Sequence, residues 1–198
     1  EDDLPPIARE AVTTGHAAAR NLLDVITHLL DAAQIEDGRF GYSFESVDLT
    51  AFLDTILGQS MPIAKQYGVN IYFDRPAETV MVSADPTKLG MAIANLVDNG
   101  IKYNSEGGIV TVSLKAVAAN AEIEIRDTGA GIAEADMSKL FQKFYRGEGT
   151  MKKVTGGSGL GLYLAKNIIE GHKGTIRVES MEGRGTTFFI TIPLITNN

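Results

Sequence analysis

The stretch Ile109-Val110-Thr111-Val112-Ser113-Leu114-Lys115-Ala116-Val117, followed by Ala118-Ala119-Asn120 and then Ala121-Glu122-Ile123-Glu124-Ile125-Arg126, decides the fold class. Apolar residues alternate with polar ones on both sides of a short break around Ala119-Asn120. That period of two is the signature of a β-hairpin with one buried and one solvated face. Moving toward the C-terminus, Thr175 to Glu179 and Thr186 to Ile192 repeat the pattern as a closing hairpin. Toward the N-terminus, Val80 to Ser83, Val69 to Phe73 and the alternating Phe40, Tyr42 and Phe44 read as further strands. Helical stretches fall between them. Asp48 caps one from about Leu49 to Tyr67, which Pro62 is expected to kink or divide. Asp85-Pro86 supplies an N-cap and an N1 proline for a helix through about Tyr103, ending at the turn Asn104-Ser105-Glu106-Gly107-Gly108. Ser138 to Phe144 reads as a short helix and Gly159 to Gly171 as a longer one. Because the helices are segregated from mostly antiparallel strands, the expected class is α+β. The predicted architecture is a two-layer α/β sandwich, a mixed and mostly antiparallel sheet covered by helices on one face.

A long helix precedes this unit. After Pro5-Pro6, the residues Ala8, Val12, Gly15, Ala19, Leu22, Ile26, Leu29 and Ala33 recur at alternating spacings of four and three, an a/d seam that stops before Asp37-Gly38. One helix cannot bury such a seam alone, so it belongs to a hairpin or bundle, or else lies on its own domain as an amphipathic helix. The predicted division is 1–38 for this partial helical element and 39–198 for the globular domain.

Composition narrows the function classes. The 198 residues carry 18 Lys plus Arg against 25 Asp plus Glu, a net charge of -7 that opposes general affinity for nucleic acid or anionic membrane. There is no cysteine, so thiolate metal sites and thiol nucleophiles are excluded, and a reducing, cytoplasmic setting is expected. No apolar run reaches the roughly 20 residues of a membrane span. A sequence opening on Glu1 is expected to be part of a longer protein, whose other parts could include a membrane anchor. Glycine is concentrated: 12 of the 21 fall between Gly129 and Gly185.

Several groups of residues could carry chemistry. Asn95, Asn99 and Lys102 lie at i, i+4 and i+7 on one helix face. Neutral amide oxygens there could ligate a hard cation without repelling phosphates that share it, or the face could simply be solvated. Asp127-Thr128-Gly129-Ala130-Gly131-Ile132 puts a carboxylate at a strand end, able to accept from an exocyclic amine, although many turns have this form. Thr155-Gly156-Gly157-Ser158-Gly159-Leu160-Gly161-Leu162 enters a helix, where unpaired N–H groups and the helix dipole favour an anion. It lacks the Gly-Lys-Ser/Thr of a P-loop. Residues 139–153 carry Lys139, Lys143, Arg146, Lys152 and Lys153 against Glu148 alone. With Gly147 and Gly149, this stretch reads as a lid over phosphates, about 134–158, or as a solvated loop.

Taken in order, these elements resemble the ATP-binding catalytic domain of sensor histidine kinases, of the Bergerat-type ATPase and kinase superfamily. Asn95 to Tyr103 looks like the N box, Asp127 to Ile132 the first glycine box, and Leu140 to Arg146 the F box. Gly157 to Leu162 resembles the second glycine box and Gly183-Arg184-Gly185-Thr186-Thr187-Phe188 the closing element. The resemblance implies binding of ATP with Mg²⁺, Asn99 being the metal ligand and Asn95 contributing beside it. It implies a catalytic role for Asn95, Lys102 and Arg146, the last two through phosphate contacts, and places Tyr103 near the sugar or base. Asp127 would accept from the adenine amine, with Gly129, Gly131, Ile132 and Thr186 lining the base pocket. Backbone around Gly157, Gly159, Leu160 and Gly161 would cradle the phosphates, while Phe141 and Phe144 would anchor the lid.

The same resemblance makes Leu22 to Gly38 the second helix of a dimerisation and phosphotransfer hairpin. Implied partners are a second copy through that hairpin and the receiver domain of a response regulator, with no nucleic acid and no membrane contact by this chain. The family's acceptor histidine is followed by an acidic residue and later by a proline. His16 is followed by Ala17 and His28 by Leu29, and His172 lies at a helix end, so all three are expected to be non-catalytic. The implied chemistry is phosphorylation of a histidine outside this sequence, then relay to an aspartate. A non-catalytic nucleotide-binding or scaffolding module is the alternative. Relatives that hydrolyse ATP place a glutamate base where this sequence has Asn95, so negligible hydrolysis is expected.

Overall fold

Prolines and capping carboxylates set the helix starts. In the computed structural model, which describes residues 5–147 and 158–195, α1 (Pro6–Glu36) opens on a proline, and Gly38 follows its end at φ +65°. That left-handed conformation is one glycine adopts without strain. β1 (Glu45–Asp48) leads into α2 (Leu49–Tyr67), where the Asp48 carboxylate accepts from the Thr50 and Ala51 backbone N–H groups. The helix runs unbroken through Pro62, so the expected division does not occur. β2 (Asn70–Asp74) and β3 (Met81–Ala84) follow, then α3 (Pro86–Lys102) with Asp85 as its cap. β4 (Ile109–Val117) and β5 (Asn120–Asp127) form the predicted hairpin through a two-residue turn, with Ala118 at φ +52°. The chain continues through α4 (Glu134–Met137), α5 (Gly161–Gly171), β6 (Thr175–Met181) and β7 (Gly185–Pro193).

The main sheet has the order β2-β4-β5-β7-β6, antiparallel except for the parallel pair β2 and β4, while β1 and β3 form a separate antiparallel pair. Register puts Val112 opposite Ile125 and Ile125 opposite Phe188, in one continuous buried face. Helices α2, α3 and α5 cover that face with Leu53, Leu89, Ile93, Leu96, Leu164 and Ile168, all at 0% exposure. Burial of each such side chain is favourable by about 1.5–3 kcal/mol. The architecture is therefore the expected α+β sandwich with a mixed sheet. Among the described residues no helix is long and apolar enough to cross a membrane.

Two local expectations fail for physical reasons. Phe40, Tyr42 and Phe44 form no strand; the stretch is irregular, and its Tyr42 and Phe44 rings lie against the C-terminal end of α5 instead. Tyr42 and Phe44 both meet the His172 ring edge-on, at 5.3 and 5.1 Å between centroids. His172 is buried, with Nδ1 2.7 Å from the Ile168 carbonyl and Nε2 accepting from the Asp85 backbone N–H at 3.0 Å, the structural role expected of it. Asp85 is a junction: Oδ1 caps α3 at Lys88 N–H and Oδ2 accepts from Ser43 N–H. Burial opposes its ionisation, but these backbone donors and the Lys88 ammonium outweigh burial and hold the carboxyl below its ordinary pKa. Second, the helix expected over 138–144 is instead α4, four residues earlier, followed by consecutive turns.

The seam of α1 is mostly uncovered. Ala32 is buried and Ile35 packs on the core, but Val12, Leu22, Ile26 and Leu29 remain between 44% and 61% exposed. Among the described residues of α1, the side chains packed on this domain's core lie in the last turns.

Two glycine substitutions test the packing with opposite signs. Gly58 is exposed inside α2, and a methyl group placed there would have nothing within 4 Å, so Gly58→Ala should stabilise by about 0.5–1 kcal/mol. A methyl at Gly171 overlaps the Tyr42 ring, so Gly171→Ala should destabilise by about 1–3 kcal/mol. Urea denaturation of both variants checks this, and equal effects of one sign would refute the Tyr42 packing.

Candidate functional site

The predicted site residues converge where the C-terminal half of α3 meets the start of α5 and the loop after β5. Close backbone approach makes this possible. A Cβ at Gly100 would lie 3.3 Å from Val110 and 3.4 Å from the Asp127 side chain, so glycine lets α3 sit down on β4 and β5. A Cβ at Gly161 would lie 3.0 Å from Asn95 Oδ1, so the first residue of α5 faces the amide on α3.

Asn95 carries the clearest chemical signal. Its Nδ2 is buried and has no hydrogen-bond partner, an arrangement that costs about 1–3 kcal/mol unless an acceptor arrives. The α5 terminus opposite is equally unsatisfied. Its N-cap is Leu160, which is buried and offers no side-chain acceptor; Ser158 Oγ accepts only from Leu160 N–H, at 3.3 Å. The first-turn amides and the positive dipole end therefore face the space beside Asn95. An orphan donor beside uncapped amides fits an anion with several acceptor oxygens, such as a polyphosphate.

At the other side of the site, Asp127 is buried to 8% exposure at the end of β5. Its Oδ1 accepts from Gly129 N–H at 2.8 Å and Thr186 N–H at 3.2 Å. Desolvation raises its pKa above the ordinary carboxylate value, and the two backbone donors only partly offset that. The loop is stapled on both sides. Ala130 N–H donates to the Tyr103 carbonyl at 3.0 Å, which places Tyr103 against Gly129, and Gly183 N–H donates to the Ala130 carbonyl at 2.7 Å. Gly131 has φ +67°, and a side chain there would overlap the Met181 carbonyl. Ile132 N–H donates to Ser180 Oγ at 2.8 Å, and that hydroxyl also meets Gly185 O and Thr186 Oγ1. Ser180 is the residue that motif reading missed. Its signal was available: it follows Ile176 and Val178 on the inward register of β6, a polar group where an apolar one is due.

The remaining expectations divide. Asn99 lies half-buried on α3, one turn beyond Asn95. Lys102 Nζ is 3.4 Å from Asp98 Oδ2, a partly exposed i,i+4 pair. Such a pair is weak and exchangeable for a stronger anion. Arg146 is half-buried near the end of the first described segment. Phe141 packs on the core as an anchor, but Phe144 is 61% exposed with φ +60°, so the anchoring expected of it is not found. Gly157, with Glu148, Gly149, Lys152, Lys153, Thr155 and Gly156, lies outside the described residues, as does that part of the expected lid.

The sequence profile of histidine kinase-, DNA gyrase B- and HSP90-like ATPases matches residues 84–196, more than half the chain. The chain belongs to this family. It is 33% identical over 177 residues to the sensor-like histidine kinase SenX3 of Mycobacterium tuberculosis, covering 89% of this chain and 43% of that protein. It thus spans less than half the length of that relative. The solved mycobacterial sensor histidine kinase MprB superposes with a TM-score of 0.66 at 29% identity, over 77% of this chain and 98% of that one. Histidine kinase ThkA, solved in complex with response regulator protein TrrA, shares the fold at a TM-score of 0.76 and 20% identity, over 98% of this chain and 53% of that one. These neighbours carry the same sandwich, as the sequence resemblance implied.

Asp127→Asn separates binding from folding. With a raised folded pKa, the carboxyl subtracts stability as pH climbs from the unfolded value of about 3.9 through the folded one, and asparagine removes that term. At pH 7 the variant should melt at or above the wild-type temperature, the gain vanishing below about pH 4, while ATP affinity falls about a hundredfold. Thermal melts across pH with calorimetric titration decide it, and a lower melting temperature with intact binding would contradict the assignment.

Proposed function

We propose that this chain binds Mg-ATP and is the catalytic portion of a sensor histidine kinase, transferring the γ-phosphoryl group to a histidine outside this sequence for relay to a response-regulator aspartate. The observation that carries the reading is the orphaned Asn95 amide facing the uncapped start of α5. Phosphate oxygens would satisfy both at once. In this reading Asp127 accepts from the adenine amine, and Gly129, Gly131, Ile132 and Thr186 wall the base. Tyr103 packs near the base or sugar, and backbone amides of Gly159, Leu160 and Gly161, with Gly157 before them, hold the phosphates. Lys102 exchanges Asp98 for a phosphate oxygen, and Arg146 adds a second cation.

The residues also fit Mg²⁺. Asn99 offers a neutral amide oxygen, a hard donor that leaves the cation's charge free for the phosphates. Bound there, the ion would neutralise charge on the transferring group. The chain's own residues contribute positioning and electrostatic stabilisation rather than a proton acceptor, since Asn95 cannot serve as a general base.

The histidine contexts support an acceptor elsewhere: His172 is buried in structural hydrogen bonds, and neither His16 nor His28 has the acidic neighbour of the family's acceptor. The exposed seam of α1 supports dimerisation through a helical bundle in the intact protein, with 1–38 as the partial bundle element and 39–198 as the catalytic domain. The ThkA complex supports a response-regulator partner, and a cytoplasmic location is part of the same proposal.

Calorimetric titration with ATP and ADP, with and without Mg²⁺, tests the reading. Saturable binding that requires Mg²⁺ and weakens at least tenfold in Asn99→Ala is expected, with negligible release of inorganic phosphate. Absence of binding to the wild type, or rapid hydrolysis by water, would overturn it.

A further inference from the structure

Lys143 sits where three parts of the molecule meet. Its ammonium pairs with the carboxylate of Glu36, the last residue of α1, and lies 4.9 Å from the centroid of the Tyr163 ring on α5. The Lys143 side chain is 24% exposed and that of Glu36 61%. The hydrogen bond to Glu36 raises the pKa of the ammonium above its ordinary value.

The next residue is under backbone strain. Phe144 has φ +60° with its ring exposed, a conformation a bulky residue keeps only where its surroundings hold it. The Phe144 backbone forms a wall against Gly159: a Cβ there would come within 2.7 Å of the Phe144 carbonyl carbon and 3.0 Å of the Tyr145 oxygen. Gly159, itself at φ +69°, directly precedes Leu160, the N-cap of α5. The segment is fixed to its own domain by Leu140 and Phe141 on the core and by the Tyr145 hydroxyl donating to Asp136 at 2.7 Å. Lys143 instead reaches across to α1.

We propose that Glu36 and Lys143 are a positioning pair through which the end of α1 sets the geometry of the glycine turn that receives the phosphates; this rests on the nucleotide-binding reading above. Holding Lys143 holds Phe144 in its left-handed conformation, and Phe144 backs Gly159. When the pair breaks, the strained residue can relax, and the α5 amides lose the pre-organisation that makes them a ready anion site. A shift or rotation of α1, anchored here only through its last turns, would move the Glu36 carboxylate and so reach the turn within a few residues. The pair is partly exposed, so the coupling is a few-fold effect and weakens with salt.

The test is a charge swap in the full chain: Glu36→Lys, Lys143→Glu and the double variant, each titrated with Mg-ADP at low and high salt. Hydrogen exchange at amides 159–164 of the nucleotide-free proteins is measured in parallel. Each single variant should bind about threefold to fivefold more weakly and exchange faster, the swap should recover binding to within about twofold, and salt should shrink the differences. A merely structural role would lower stability in the single variants without changing Mg-ADP affinity or its salt dependence. Single variants that bind and exchange like the wild type, or a swap as poor as either single, would overturn the proposal. If the wild type bound no Mg-ADP, the nucleotide reading would fall, and unchanged exchange in the single variants would still overturn the pair.

Discussion

The close seating of α3 on its neighbours is the constraint on which the rest depends. This helix touches α2, α5, β4 and β5, and its apolar face, with Leu89, Ile93 and Leu96, is removed from water. Glycines rather than larger residues stand at two close approaches, Gly100 over Val110 and Asp127, and Gly161 under Asn95. A methyl group at either would push apart the surfaces that bring an amide, a helix terminus and a buried carboxylate into one place. Packing and site are thus the same set of contacts, and a change that loosens one loosens the other.

Within that frame the site holds polar groups in a state that folding alone would not favour. Asn95 Nδ2 is buried without a partner, the α5 amides lack a side-chain cap, and desolvation raises the pKa of Asp127. Each is the sort of local conflict that a ligand resolves. The loop 127–132 tolerates it because it is fixed from three directions, by the Tyr103 carbonyl, the Ser180 hydroxyl and the β6–β7 turn.

Much of this was legible in the sequence because local and long-range signals agree. The alternation of Ile109 to Arg126, the Asp85-Pro86 start and the glycine-bearing boxes each specify a backbone that the tertiary structure also requires. What was not legible involves residues whose partners are distant in sequence. Phe40, Tyr42 and Phe44 alternate like a strand, but His172, about 130 positions on, takes the Tyr42 and Phe44 rings, Phe40 packs edge-on against Tyr42, and Asp85 takes the Ser43 amide that a strand would pair. Phe144 has the spacing of an anchor, but its left-handed backbone turns the ring outward, a conformation no propensity predicts. Ser180 lies one residue past the strand that alternation alone delimits, and only its inward register points to the loop it holds.

The distribution of carboxylates bears on how such a site avoids wasting its ligand. Asp127 takes two backbone donors on one oxygen, and Asp85 caps α3 at the end far from Asn95. A base poised to activate water beside the phosphates must be basic, nearby and unengaged, and neither of these two side chains meets all three conditions. The position that faces the α5 amides is filled by Asn95, which donates and accepts hydrogen bonds but takes no proton near neutral pH. In the proposed reading such a site orients a phosphoryl group and stabilises its charge, and the nucleophile comes from another part of the protein. Control in that reading passes to whatever places the nucleophile, and α1, whose described contacts with the domain lie in its last turns, is the element in position to do so.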